Sequence, residues 1–478
     1  MQAAPGRVRA GLDEAARGAK EQDKEGGRRA PFTLPSPPLP APHTPSHLVL
    51  ALGVAGAPAR PSPTPNAGAR GRPGVRGEAP PSVDAIMDRG RGARIGRGAR
   101  AAAAVAECLR HIQMDALVFS ADAGLRLETR PIPTPGPGDL LLRVRRAGVC
   151  ATDVEITRGY VRGFDGVLGH EAVAEVVGVG SGVDADDWLG ARVCPELNCP
   201  PAGAAAPTPD PGAAFRNHCP NRTVLGIIGM DGVFAEYAAA PAAGCVRVPA
   251  GLSDAAAAFA EPLAAALRVV EQGLVLAGTA AAVVGDGRLG LLLAGVLAAE
   301  GALAVHFGRH ADRLALVPGA HARALVPRHM DDAAAWATAQ GHAGAFDLVC
   351  EASGSPSGAA LALALARPLG TIVLKTTVAP GAADAPHWAA VTNDVVVNEK
   401  RIVGSRCGPF DRALAALAAN RGGLRDLALS MVSLRLPLRD GVAALAAAAG
   451  REALKVQLVM VADGEEGGEG RVADRARR

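Results

Sequence analysis

Three short stretches of the sequence carry residue types that could gather a transition metal: Cys150 in GVCATD, His170-Glu171 in LGHEAV, and Glu261 in FAEPLA. A thiolate, an imidazole and a carboxylate suit Zn²⁺ with one coordination position left open, the arrangement of a catalytic rather than a closed structural site. Each residue also has a plainer reading. An isolated Cys in a β unit packs in a core, and a His-Glu pair sits in a turn or on the surface. A fourth stretch, AAVVGDGRLGLLLAGVL, spaces Gly285, Gly287 and Gly290 as G-x-G-x-x-G directly after an apolar strand and at the start of a helix. There Gly285 permits a tight turn, Gly287 lets backbone approach a pyrophosphate, and Gly290 allows close helix–sheet packing. The helix N-terminus adds unpaired N–H groups and a positive dipole end. An ordinary βα turn is the competing reading.

The next strand bears on the cofactor's ribose. Sheets that bind NAD present Asp or Glu at the end of the second strand, roughly 20 residues downstream of the glycines. In LAVHFGRHADRL that place is taken by Gly308, followed by Arg309. With no carboxylate at the strand end, nothing there accepts a 2′-hydroxyl or repels a 2′-phosphate. Arg309, with His310 or Arg313, could pair with that phosphate. The expectation is NADP, with NAD as the alternative and a solvated loop charge as the plain reading of Arg309.

These residues need elements to hold them. From Met114 short β-like runs (LLLRVRRAGV, AVAEVVGVGSGV, CVRVP) alternate with Gly, Pro and Asp, which predicts a mostly β unit over 114–262. Residues 263–402 then read strand, helix, strand, helix (AAVVGDG, RLGLLLAGVLAAEG, LAVHFG, FDLVCEASG, TIVLKTTV), the rhythm of a parallel sheet covered on both faces. Residues 403–462 hold further helix and a last strand, and 463–478 read as a disordered tail.

The ordered series GVCATD, LGHEAVAEVVGVGSGV, Glu261-Pro262-Leu263 and VVGDGRLG closely resembles the zinc-dependent medium-chain dehydrogenase/reductase (alcohol dehydrogenase-like) family. The Glu-Pro-Leu segment and NEKRIVGSRCG are most similar to its sorbitol/threonine dehydrogenase-like branch. The resemblance covers about 114–461. It implies an α/β chain with a GroES-like β catalytic domain, an inserted Rossmann domain of doubly wound parallel sheet, and a return of residues 403–462 to the catalytic domain. It implies that Cys150 and His170 are zinc ligands, and that Glu171 and Glu261 share direct or water-mediated coordination. Thr152 would hydrogen-bond the substrate oxygen and start proton release. Asp153 would orient the ligating imidazole, where the plain reading is a turn-stabilising Asp. The implied activity is zinc-dependent hydride transfer between NADP(H) and a small alcohol or carbonyl compound, by a homodimer or homotetramer. The chain also departs from the family. Glu155 stands where some members have a relay His. The lobe CPELNCPPAGAAAPTPDPGAAFRNHC has only Cys194, Cys199 and Cys219 where many relatives carry four closely spaced cysteines. No structural zinc is expected, and the lobe is expected to be a loop.

Composition sets outer bounds. Hydrophobic residues make up 49% and charged residues 20% of the 478, enough apolar surface for two or three structural units. The net charge of +3 calls for no nucleic-acid or membrane partner. Eight irregularly spaced cysteines read as reduced thiols or metal ligands of an intracellular protein, with Cys245, Cys350 and Cys407 as packing residues. Residues 1–113, rich in Ala, Gly, Pro and Arg, read as a disordered extension. That leader is either an organellar transit peptide or an over-extension before a start at Met114; the compartment is cytoplasmic unless the leader is real. Two other functions compete: a metal-free quinone or enone reductase of the same superfamily, which would leave Cys150, His170 and Glu261 without a task, and a non-catalytic dinucleotide-binding protein.

Overall fold

The computed structural model describes residues 112–201, 213–319, 322–327, 332–377, 388–450 and 453–460. The expected disordered leader up to residue 111, the tail, and 202–212 of the cysteine lobe lie outside the described residues. The order begins with an antiparallel pair, β1 (Gln113–Ser120) and β2 (Gly124–Pro131). Then come β3 (Asp139–Val149), the helix α1 (Ala151–Thr157), β4 (Asp165–Val167), β5 (Glu171–Val179), β6 (Arg192–Pro195), β7 (Tyr237–Pro241) and β8 (Cys245–Arg247). Period-2 side-chain alternation sends Leu141, Ala147 and Val149 of β3 into one core and Leu140 and Leu142 into another.

Helix α2 (Ala260–Glu271) leads into the second unit. Its elements are β9 (Ala280–Val284), α3 (Arg288–Ala299), β10 (Leu303–Gly308), β11 (Ala322–Leu325), β12 (Phe346–Glu351), α4 (Pro356–Leu365), β13 (Ala366–Leu374) and β14 (Arg401–Gly404). All neighbours pair in parallel, in the order β11-β10-β9-β12-β13-β14. The central strands are near-continuously apolar because helices cover both faces. Ala281 and Val283 of β9 face the core shared with α3, while Ala282 and Val284 face the one shared with α4. The order reverses between β9 and β12, so their carboxyl ends open the crevice where doubly wound sheets bind ligands.

Helices α5 (Phe410–Ala418) and α6 (Leu424–Ser430) pack into the same core as α2 and α3. The last strands, β15 (Val432–Pro437) and β16 (Lys455–Val459), flank α7 (Gly441–Ala449). Strand β16 pairs antiparallel with β3, Val456 opposite Val149. This completes a seven-stranded sheet, β8-β6-β5-β3-β16-β15 with β7 also on β3. The chain is therefore α/β, a β unit joined to a doubly wound parallel sheet, and its final strand lies beside Cys150. No helix among the described residues is long and apolar enough to cross a membrane.

Candidate metal centre and dinucleotide site

Cys150 stands where β3 ends and α1 begins, as the extended N-cap residue (φ −98°, ψ 159°). Three residues on, Asp153 turns back. Its Oδ2 accepts the Cys150 N–H at 2.8 Å, and its Oδ1 faces His170 Nδ1 at 3.2 Å without a well-aligned hydrogen bond. One carboxylate thus stabilises the turn and faces the imidazole. With Nδ1 facing Asp153, Nε2 is the ring nitrogen left to serve as a metal ligand. Burial opposes charge on His170, but Asp153, with Cys150 adding, outweighs it and holds the ring well above its ordinary range.

Strand β5 starts at Glu171, directly after His170. Ligand atoms of Cys150, His170 and Glu171 lie within 4.8 Å of one another, the only such group of three among the described residues. The donor set, one soft thiolate with an imidazole and a carboxylate, fits a zinc ion. Glu171 also forms a buried ion pair with Lys455 of β16, whose Nζ donates to Val149 O at 3.2 Å as well. Gly148 makes room for this pair: a Cβ there would lie 2.3 Å from Glu171 Oε2 and 2.8 Å from Lys455 Cε. Glu261, in the first turn of α2, is buried but is not in the three-residue group. Burial foremost, with Glu171 adding and His170 opposing, pushes its carboxyl up to about 7. Thr152 Oγ1 lies 3.7 Å from Cys150 Sγ.

At the glycine turn, Gly285 takes φ +114°, and a Cβ on it would stand 2.8 Å from Ser353 N. A Cβ on Gly290 would strike Gly285 O at 1.9 Å, so α3 could not approach the turn. Gly287 is the N-cap residue of α3 and has open space before it. Buried His306 of β10 donates from Nε2 to Gly285 O at 2.9 Å, which pins the turn from beneath. Arg288 NH1 donates to Val149 O at 3.1 Å, tying the glycine turn to the strand that ends before Cys150. Arg309 follows β10 and is exposed.

One expectation needs correction here. The strand end does lack an acid of its own, but a carboxylate stands beside it. Asp286, the second residue of the G-D-G turn, accepts N–H groups of Arg309 (2.6 Å) and His310 (2.7 Å) on Oδ2, which also lies 2.9 Å from His310 Nδ1. Burial works against its charge, but the His310 and Arg309 donors prevail and hold it below the usual Asp range. Asp286, Arg288 and Lys455 were not singled out from sequence. Their partners lie 23 to 306 residues away, and the x positions of a glycine motif carry no signal of their own. The acid in GDG, opposite a strand ending in Gly308, was the available hint.

Comparison with known proteins places this geometry. Residues 136–250 match the alcohol dehydrogenase GroES-like domain. Over 333 residues the chain is 34% identical to a glucose 1-dehydrogenase of Thermoproteus tenax, covering 66% of this chain and 90% of that protein. The chain belongs to the zinc-type medium-chain dehydrogenase/reductase family. It is an oxidoreductase of the alcohol dehydrogenase type. An L-threonine 3-dehydrogenase of Bacillus licheniformis is 30% identical over 59% of this chain and 80% of its own length. Among solved structures, a Sinorhizobium meliloti protein assigned as a zinc-binding dehydrogenase and solved bound to NADP is 29% identical. It superposes with a TM-score of 0.63 and covers 73% of this chain and 100% of that one.

The family's second cysteine cluster is altered in this chain. Cys194 Sγ donates to Ala257 O at 3.4 Å and Cys199 Sγ to Glu196 O at 3.6 Å. Burial pushes the Cys199 thiol up to about 12 and Cys194 further. Cys219 is buried too. Cys245, Cys350 and Cys407 are buried in apolar surroundings as packing residues. Glu155, at the relay position, is exposed and pairs with Arg158 at 2.7 Å.

Proposed function

We propose that the chain is a zinc-dependent dehydrogenase that moves a hydride between NAD(P)(H) and a small alcohol or its carbonyl, with NADP(H) preferred through Arg309. The observation that carries this is the convergence of Cys150, His170 and Glu171 ligand atoms within 4.8 Å of one another. Arg288 ties that centre to the glycine turn. Cys150 and His170 hold the cation. Glu171 and Glu261 are the acids behind it, and Glu171 has Lys455 as a second partner. When bound, the cation polarises the substrate oxygen as a Lewis acid and the nicotinamide takes or gives the hydride. Asp153 fixes both the N–H of Cys150 and the ring of His170, so the donors keep their geometry through turnover. Thr152, two residues on from Cys150 and half-exposed, takes the alcohol's proton and passes it toward solvent. The backbone around Gly285 and Gly287, with the N-terminus of α3, seats the pyrophosphate. The assembly proposed is a homodimer or homotetramer.

The test is oxidation of NADPH and NADH against a panel of aldehydes, ketones and quinones, before and after metal removal by chelator. Turnover of carbonyl compounds that is lost on chelation and restored by zinc supports the proposal. Quinone turnover indifferent to chelation means a metal-free reductase, and binding without turnover means a non-catalytic dinucleotide-binding protein.

A further inference from the structure

The glycine turn carries a charge that its motif does not require. A pyrophosphate cradle needs small residues and N–H groups, and an acid in it faces the anion it must admit. Yet Asp286 is held firmly, its side chain only 11% exposed, with Oδ2 bonded by Arg309 N–H, His310 N–H and the His310 ring. A Cβ built on Gly308 would lie 2.7 Å from Asp286 Cβ and 2.9 Å from Asp286 Oδ2. The volume in which a strand-end side chain would stand is thus already filled, and a carboxylate fills it. A strand-end acid and Asp286 exclude one another, which explains why β10 ends in glycine. Oδ1 has no protein hydrogen bond among the described residues and is available to a ligand.

We propose that Asp286 is the cofactor-selecting carboxylate of this chain, delivered from the glycine turn in place of the strand-end acid. It accepts the adenosine 2′-hydroxyl of NAD(H) and repels the 2′-phosphate of NADP(H), in opposition to Arg309. The proposal rests on the dinucleotide reading of this turn and adds that the preference between the two cofactors is a balance between these residues. His310 belongs to the balance, because its ring lies against Oδ2 and moderates the charge.

Fluorescence titration of the purified protein with NADPH and with NADH gives both dissociation constants without substrate or turnover. D286N keeps the side chain's shape and one acceptor oxygen but removes the charge. It is expected to shift the ratio of the two constants toward NADPH by about tenfold, the effect of one lost charge–phosphate repulsion partly exposed to water. R309A shifts the ratio toward NADH. H310Q, which leaves Asp286 in place and removes the ring beside it, also shifts it toward NADH and gives a reading if D286N fails to fold. An unchanged ratio in D286N, or a parallel rise of both constants, makes Asp286 a mere support for the 309–310 corner and overturns the proposal. So does an unchanged ratio in H310Q when D286N cannot be purified. Wild-type protein that binds neither dinucleotide overturns the reading of the turn, and the proposal with it.

Discussion

Asp153 is the residue through which local folding and site chemistry meet. One oxygen closes the first turn of α1 on the Cys150 N–H, the other faces His170 Nδ1, and the residue is fully buried. D153N is expected to keep the fold, since the amide oxygen can still cap the turn, but to weaken the hold on the ring. Zinc affinity should fall about 10- to 100-fold, measured by competition with a chromophoric chelator. Lys455 offers a contrasting case. Its ammonium is buried against Glu171, and removing one partner leaves an unpaired charge in the core. K455M should therefore lower unfolding stability by about 3–5 kcal/mol in denaturant titration, and the double variant K455M/E171Q should recover part of it. A loss of equal size in both would assign the effect to packing rather than to charge.

At the scale of elements, the glycine turn, α3 and β10 form one device. Gly290 lets α3 reach the turn, His306 ties the turn from the strand below, and Gly308 leaves its space to Asp286. G290A drives a methyl group into Gly285 O, so the turn must shift. Dinucleotide affinity should drop at least about tenfold by fluorescence titration, while zinc content stays at the wild-type level. This device also marks how far the sequence could be read. The βαβ rhythm and the glycine spacing were legible because turn, strand and helix are contiguous. The carboxylate beside Gly308 was not, because it depends on a side chain crossing from the neighbouring strand's loop. Likewise Cys150, His170, Glu171 and Glu261 stood out by residue type, but their relative distances did not. Tertiary packing brings Cys150 to His170 and Glu171, and leaves Glu261 outside that group of three.

Over the whole molecule, the β unit and the parallel sheet share a hydrophobic core. Val173 and Cys194 of the β unit pack in the same cluster as Phe259, Leu263, Leu291 and Phe410. Buried Asp254 reinforces the junction, accepting from Arg145 of β3 at 2.5 Å and Arg192 of β6 at 2.7 Å. D254A leaves two partly exposed guanidinium groups without this partner and should cost about 2 kcal/mol, read as a lower denaturation midpoint at unchanged slope. The shared core fixes the glycine turn relative to the Cys150, His170 and Glu171 group, with Arg288 bridging to Val149 O.

The most direct test of the account is the metal content of purified protein, by elemental analysis of wild type, C150S and H170A, with circular dichroism to confirm folding. The account predicts about one zinc per chain in the wild type and almost none in either folded variant. Wild-type protein that turns over carbonyl compounds without zinc, or folded variants that retain zinc in full, would contradict it.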